Sequence, residues 1–139
     1  LRLQAKGFVD NGDYESAIAS LRQAQEARPE VNEVGLEIRQ FYVDWAQAHL
    51  AAKEFEPAVL VYTQASKNNE DFGAALSNAY LLWAAHHEGE GDYEQAIETL
   101  HRHKKDHGGS PEADEKIIGY YLDWGKYLRE DGHEEAALD

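Results

Sequence analysis

The chain repeats itself at long range, and that repetition limits what it can fold into. Gly12-Asp13-Tyr14-Glu15-Ser16-Ala17-Ile18 returns as Lys53-Glu54-Phe55-Glu56-Pro57-Ala58-Val59 and again as Gly91-Asp92-Tyr93-Glu94-Gln95-Ala96-Ile97. A weaker fourth copy opens at Gly132-His133-Glu134-Glu135-Ala136-Ala137. A second motif runs in step: Tyr42-Val43-Asp44-Trp45-Ala46, Tyr80-Leu81-Leu82-Trp83-Ala84 and Tyr121-Leu122-Asp123-Trp124-Gly125. Successive copies stand 38 or 41 residues apart. A period in this range belongs to stacked repeats, because one such unit cannot bury its apolar face without a neighbour.

Within each unit the apolar residues recur at three and four, which predicts amphipathic helices. Val34, Ile38, Phe41, Trp45, Ala48 and Ala52 follow that rhythm, and so do Phe55, Ala58, Val59, Tyr62 and Ala65. The punctuation agrees. Asn11-Gly12-Asp13 and Glu90-Gly91-Asp92 read as tight turns, with glycine ending one helix and aspartate capping the next. Asp92 and Gln95 have the spacing of a capping box. Ser110-Pro111-Glu112 starts a helix with a capping hydroxyl, a proline in the first turn and an acid favoured by the helix dipole. Pro29 closes the first pair, and Pro57 falls in a first turn, where its missing N–H costs little.

The pattern predicts helices over 13–28, 31–51, 54–68, 70–88, 92–106 and 111–130, with a truncated helix near 1–10 and a stub from 133. Short connections set each helix antiparallel to the next. The expectation is an all-α, right-handed solenoid of helical hairpins in a single domain. Its repeats run over 1–29, 30–69 and 70–109, with an incomplete one over 110–139. Both termini fall inside units and no methionine is present, so the chain reads as a segment of something longer.

Composition narrows the function. The net charge is −14, which opposes nucleic acid and anionic membranes and favours a basic or apolar protein partner. The acidity rises toward the C-terminus: residues 1–29 hold four acids and four bases, residues 108–139 nine acids and three bases. No apolar run approaches the length of a membrane span, and no signal-peptide pattern is visible. Cysteine is absent, which removes disulfides, thiol nucleophiles and thiolate metal sites. No Gly-x-Ser-x-Gly elbow, Walker loop, dinucleotide fingerprint or His-Glu-x-x-His motif is found, so no enzyme, cofactor or catalytic residue is expected. His103 and His107 have the helical spacing of a chelate, with His86-His87 on the preceding helix. The run His101-Arg102-His103-Lys104-Lys105 is cationic, however, and no metal site is assigned.

These residues carry a resemblance to the tetratricopeptide repeats. In that family the first helix of each unit bears large, leucine-like and small positions, here met by Tyr42, Trp45 and Ala46, by Tyr80, Trp83 and Ala84, and by Tyr121, Trp124 and Gly125. The second helices supply Ala17, Leu21 and Ala24, then Ala58, Tyr62 and Ala65, then Ala96, Leu100 and His103. Only the first unit has the closing proline, Pro29. The small residues are expected to let helix backbones approach, with the three tryptophans filling the core beside them. Four features depart from the pattern: a period longer than the usual length of about 34, His103 where its sisters have alanine, Glu134 where they have an aromatic ring, and a last unit without its second helix. That last departure leaves an apolar face over 113–130, to be covered by further repeats or by pairing with another chain.

The resemblance implies a protein-interaction scaffold whose first helices line a groove for a partner peptide or helix. Carried over by position, the groove residues are Gln40, Val43, Gln47 and Leu50, then Asn78, Leu81, Ala85 and Glu88, then Leu122, Lys126 and Arg129, with Arg2, Lys6 and Val9 from the truncated first helix. Asp44 and Leu82 stand where a carboxylate clamp would need donors, so an acidic C-terminus is not the expected ligand. An apolar centre of Val43, Leu50, Leu81 and Leu82 instead suits an apolar segment flanked by bases. The other reading that the sequence leaves open is an oligomerisation or docking domain of a larger assembly or enzyme. The compartment stays open between cytoplasm and bacterial envelope, the Gly109-Ser110-Pro111-Glu112-Ala113-Asp114 linker being similar to those of envelope-assembly members of the superfamily.

Overall fold

The computed structural model describes residues 11–67 and 72–130, and all their regular structure is helical. The six helices are α1 (Asn11–Ala27), α2 (Asn32–Ala51), α3 (Phe55–Lys67), α4 (Gly73–Gly89), α5 (Tyr93–His107) and α6 (Pro111–Glu130). The expected all-α fold of helical hairpins is therefore present, and none of these helices is long and apolar enough to cross a membrane. The expected segments near 1–10 and from 133 lie outside the described residues. The chain divides into two compact halves, Leu1–Leu76 and Ser77–Asp139, with the division in the first turn of α4.

In the N-terminal half the helices pair antiparallel. Tyr14, early in α1, meets Trp45, late in α2, while Gln25 near the end of α1 lies beside Gly35 near the start of α2. Gln47 likewise reaches Tyr62 of α3, and Arg39 sits over the ring of Phe72. The core is aromatic. Tyr14 stacks on Trp45 with ring centroids 5.9 Å apart and meets the edge of Phe41. Tyr42 stacks on Trp45, and both Tyr42 and Tyr62 contact Phe72. Offset and edge-on pairs of this kind add to the gain from burying the rings. Ala46, Ala58 and Ala65 are fully buried, as the small positions of the pattern require.

Three details depart from the sequence reading here. Asn11-Gly12-Asp13 is not a turn; its backbone is helical, within α1. Glycine tolerates a left-handed turn but does not compel one. Ala48 and Ala52 are exposed, and His49 takes the buried place on the stripe. The rhythm passes through Phe41/Tyr42 and Trp45/Ala46 to residue 49, and the polar His49 is accommodated because its Nδ1 bonds Glu54 Oε1 at 2.9 Å. The third concerns the tryptophans: only Trp45 belongs wholly to the core, while Trp83 and Trp124 are half-buried.

The C-terminal half repeats the antiparallel pairing. Tyr80 of α4 stacks on His103 of α5, Lys104 of α5 approaches Asp114 of α6, and Tyr93 approaches Tyr127. Asp92 accepts a hydrogen bond from the Gln95 backbone N–H at 3.1 Å. The reciprocal half of the expected box is replaced, because the N–H of Asp92 donates to the His87 carbonyl instead. At Ser110 the expected cap forms, with Oγ accepting from the Ala113 N–H at 3.1 Å and Pro111 opening α6. Gly125 departs from its expected role: a Cβ placed there meets no atom within 4 Å among the described residues. Ala46 and Ala84 are fully buried, as the small positions of the pattern require, and Gly125 is not.

The turns after α2 and α4 are the same device with different residues. In the first, the N–H of Lys53 bonds the Leu50 carbonyl and that of Glu54 the His49 carbonyl; in the second, Gly91 bonds Glu88 and Asp92 bonds His87. This pair of bonds closes a helix with its next residue in the left-handed region. Gly91 adopts that region at φ 77°, and Lys53 is held there at φ 60°.

Candidate functional site

The first helices of the repeats are α2, α4 and α6, and the groove residues expected from the sequence lie on them. In the C-terminal half α4 and α6 run parallel. Ser77 Oγ donates to Ser110 Oγ at 3.2 Å near the start of each helix, and Glu88 bears on Tyr120 further along. Between them lies a concavity of about 480 Å³, lined by Leu81 and Glu88 of α4 and by Glu112, Glu115, Lys116, Gly119, Tyr120 and Asp123 of α6. Its floor is apolar and aromatic, and its rim holds four carboxylates and one ammonium.

Tyr120 sits at the base, only 3% exposed. Burial, then the carboxylates of Glu88 and Asp123, push its hydroxyl above the ordinary phenol value. The group is therefore a neutral phenol at physiological pH, able to donate or accept. Its hydroxyl makes no hydrogen bond to another described residue.

Among the expected residues, Leu81 and Glu88 enter this concavity. Leu122, Lys126 and Arg129 line a neighbouring hollow on α6, with Gly119, Tyr121, Asp123 and Gly125. Asn78 and Ala85 are exposed on α4. On α2, Val43 and Leu50 are half-buried, Gln40 donates to Asp44 Oδ1 at 2.8 Å, and Gln47 donates to the Tyr62 hydroxyl at 3.3 Å. Arg2, Lys6 and Val9 lie outside the described residues. Sequence reasoning passed over Glu112, Lys116, Tyr120 and Asp123. Their spacing of four, four and three marks one face of α6.

The histidines form a separate cluster. His103 is 2% exposed, its ring 4.7 Å from that of Tyr80 and 6.4 Å from that of His107. Its Nδ1 is buried without a hydrogen-bond partner among the described residues. Burial first, and then His107, lower its pKa below the ordinary imidazole value, so the ring is neutral at pH 7. Among the described residues no three of His, Asp or Glu gather closely enough to hold a metal ion.

The geometry can now be set beside known proteins. The family model of the tetratricopeptide repeat matches residues 8–31, the stretch that holds Tyr14, Ala17, Leu21, Ala24 and Pro29. That stretch is similar to a tetratricopeptide repeat. No curated protein and no solved structure matches the chain. Tetratricopeptide repeats generally mediate protein–protein interaction and are typically non-catalytic. In this chain, the turns at Lys53 and Gly91 carry the same backbone hydrogen bonds 38 residues apart.

Proposed function

We propose that this tetratricopeptide protein is an interaction scaffold that holds a segment of a partner protein along its first helices. The segment has an apolar anchor flanked by lysine or arginine. The observation that carries this reading is the α4–α6 concavity, in which Leu81 and Tyr120 offer an apolar floor beneath Glu88, Glu112, Glu115 and Asp123. An apolar side chain desolvated on such a floor supplies affinity, while bases on the rim supply orientation and association rate. The net charge of −14 acts in the same direction over longer range,.

The test is selection from a displayed peptide library by the wild-type chain and by Leu81→Lys. The wild type should enrich peptides with an apolar residue next to lysine or arginine, bound more weakly as salt rises. Leu81→Lys should lose that enrichment while its circular dichroism stays helical. Enrichment of acidic peptides, or the same peptides on both proteins, would defeat the proposal.

A further inference from the structure

The α4–α6 concavity is electrostatically lopsided. Leu81 and Glu88 stand two turns apart on one face of α4, and Glu112, Lys116, Tyr120 and Asp123 follow one another by about a turn along α6,. The two helices run parallel, with Ser77 and Ser110 bonded near their starts. Toward those starts, Lys116 stands four residues after Glu112 and next to Glu115, so acid and base lie together. The far end holds Glu88, Tyr120 and Asp123, and no base lines it.

At that end a buried phenol lacks a partner. Tyr120 is 3% exposed, and its hydroxyl makes no hydrogen bond to a described residue. Besides burial, the carboxylates of Glu88, half-buried on α4, and of Asp123, exposed on α6, raise its pKa. Neither carboxylate forms an ion pair with a described residue. A buried hydroxyl left unpaired costs free energy that a bound group recovers. Two unpaired carboxylates beside it select a cation.

The spread of the acceptors specifies which cation. Among the described residues no three of His, Asp or Glu gather closely enough to hold a metal ion, so these oxygens do not converge on a point. An ammonium is likewise a compact and strongly hydrated point charge. A guanidinium is a planar fork of five donors, more weakly hydrated, and it reaches acceptors that stand apart. Leu81 and the Tyr120 ring offer its alkyl stem an apolar surface,.

We infer that the far end of this concavity is a guanidinium subsite, in which an arginine of the partner places its head between Glu88 and Asp123 and donates to the Tyr120 oxygen. Tyr120 is then the residue that selects arginine over lysine. The inference rests on the scaffold reading above and narrows its flanking base to arginine.

The probes are two fluorescently labelled peptides, Gly-Leu-Ala-Arg-Gly amide and the same peptide with lysine for arginine, titrated with the full chain at low salt and followed by anisotropy. The arginine peptide should bind about tenfold more tightly. Tyr120→Phe keeps the ring and removes the oxygen. It should weaken the arginine peptide about tenfold and the lysine peptide less than about threefold. Asp123→Asn, at an exposed position that the fold does not depend on, should weaken the arginine peptide about threefold or more. Tyr93→Phe, on α5, should change neither. A lysine peptide that binds as well or better, an equal loss of both peptides on Tyr120→Phe, or an unaffected Asp123→Asn would overturn the subsite. So would no binding of either peptide at about 1 mM. The library selection above then separates the two readings: continued enrichment of apolar peptides with a base leaves the scaffold standing without the subsite, and its loss removes both.

Discussion

Tyr42 and Tyr121 hold the same place in the repeat and end in opposite surroundings. Tyr42 lies under α3 and Phe72 in a closed aromatic cluster, whereas Tyr121 is half in water beside a half-buried Trp124. The same local sequence gives the same helix in both places. What separates them among the described residues is α3, which lies against Tyr42, so in a repeat fold burial belongs to the neighbour as much as to the residue,.

The sharpest way to break this comparison is to truncate both rings. Tyr42→Ala should cost about 3–5 kcal/mol, the range for a large buried side chain, while Tyr121→Ala should change stability by less than about 1 kcal/mol. Urea unfolding of the two variants measures both, and equal losses would mean that Tyr121 is covered in solution. A smaller effect is expected at His103, which stands where the other repeats have Ala24 and Ala65. Replacing it by leucine removes a buried nitrogen without a partner and should gain about 1–2 kcal/mol at pH 7. The wild type should also lose stability as pH falls below about 6.5, the ordinary imidazole value, because the unfolded chain takes up the proton first. His103→Leu should flatten that slope, and unchanged pH dependence would remove His103 as its cause. The smallest effect separates the two turns. Lys53→Gly should stabilise by about 1 kcal/mol by relieving the left-handed backbone, and Gly91→Lys should destabilise by a similar amount. A loss on Lys53→Gly would show that the lysine side chain contributes more than its backbone costs.

The fold was largely legible beforehand, and for a physical reason. Helix limits follow from caps, prolines and the three-and-four rhythm, which act over a few residues, and Asp92, Ser110 and Pro111 did what their chemistry predicts. Misreadings arose where the answer depended on something distant. Gly125 was expected at a close helix contact, but no described helix meets it. His49 was passed over because its burial depends on Glu54 across a turn. Of the residues that line the α4–α6 concavity, Leu81 and Glu88 were named from the sequence, and Glu112, Lys116, Tyr120 and Asp123 were not. The face of α6 that meets α4 depends on how the helices pack, and one residue along a helix turns a side chain by about 100°.

By itself the sequence determined the period, the helices, the caps at Asp92 and Ser110 and the acidic character that any partner must meet. Those properties are local or additive, and each copy of the motif states them again. The tertiary structure alone decided which of the equivalent residues are core and which are surface. It set Tyr120 rather than Tyr121 opposite α4, left His103 Nδ1 without a partner among the described residues, and buried Tyr42 while leaving Tyr121 half exposed. Such outcomes depend on which helix lies against which, and a repeated motif reads the same whether or not its neighbour is there.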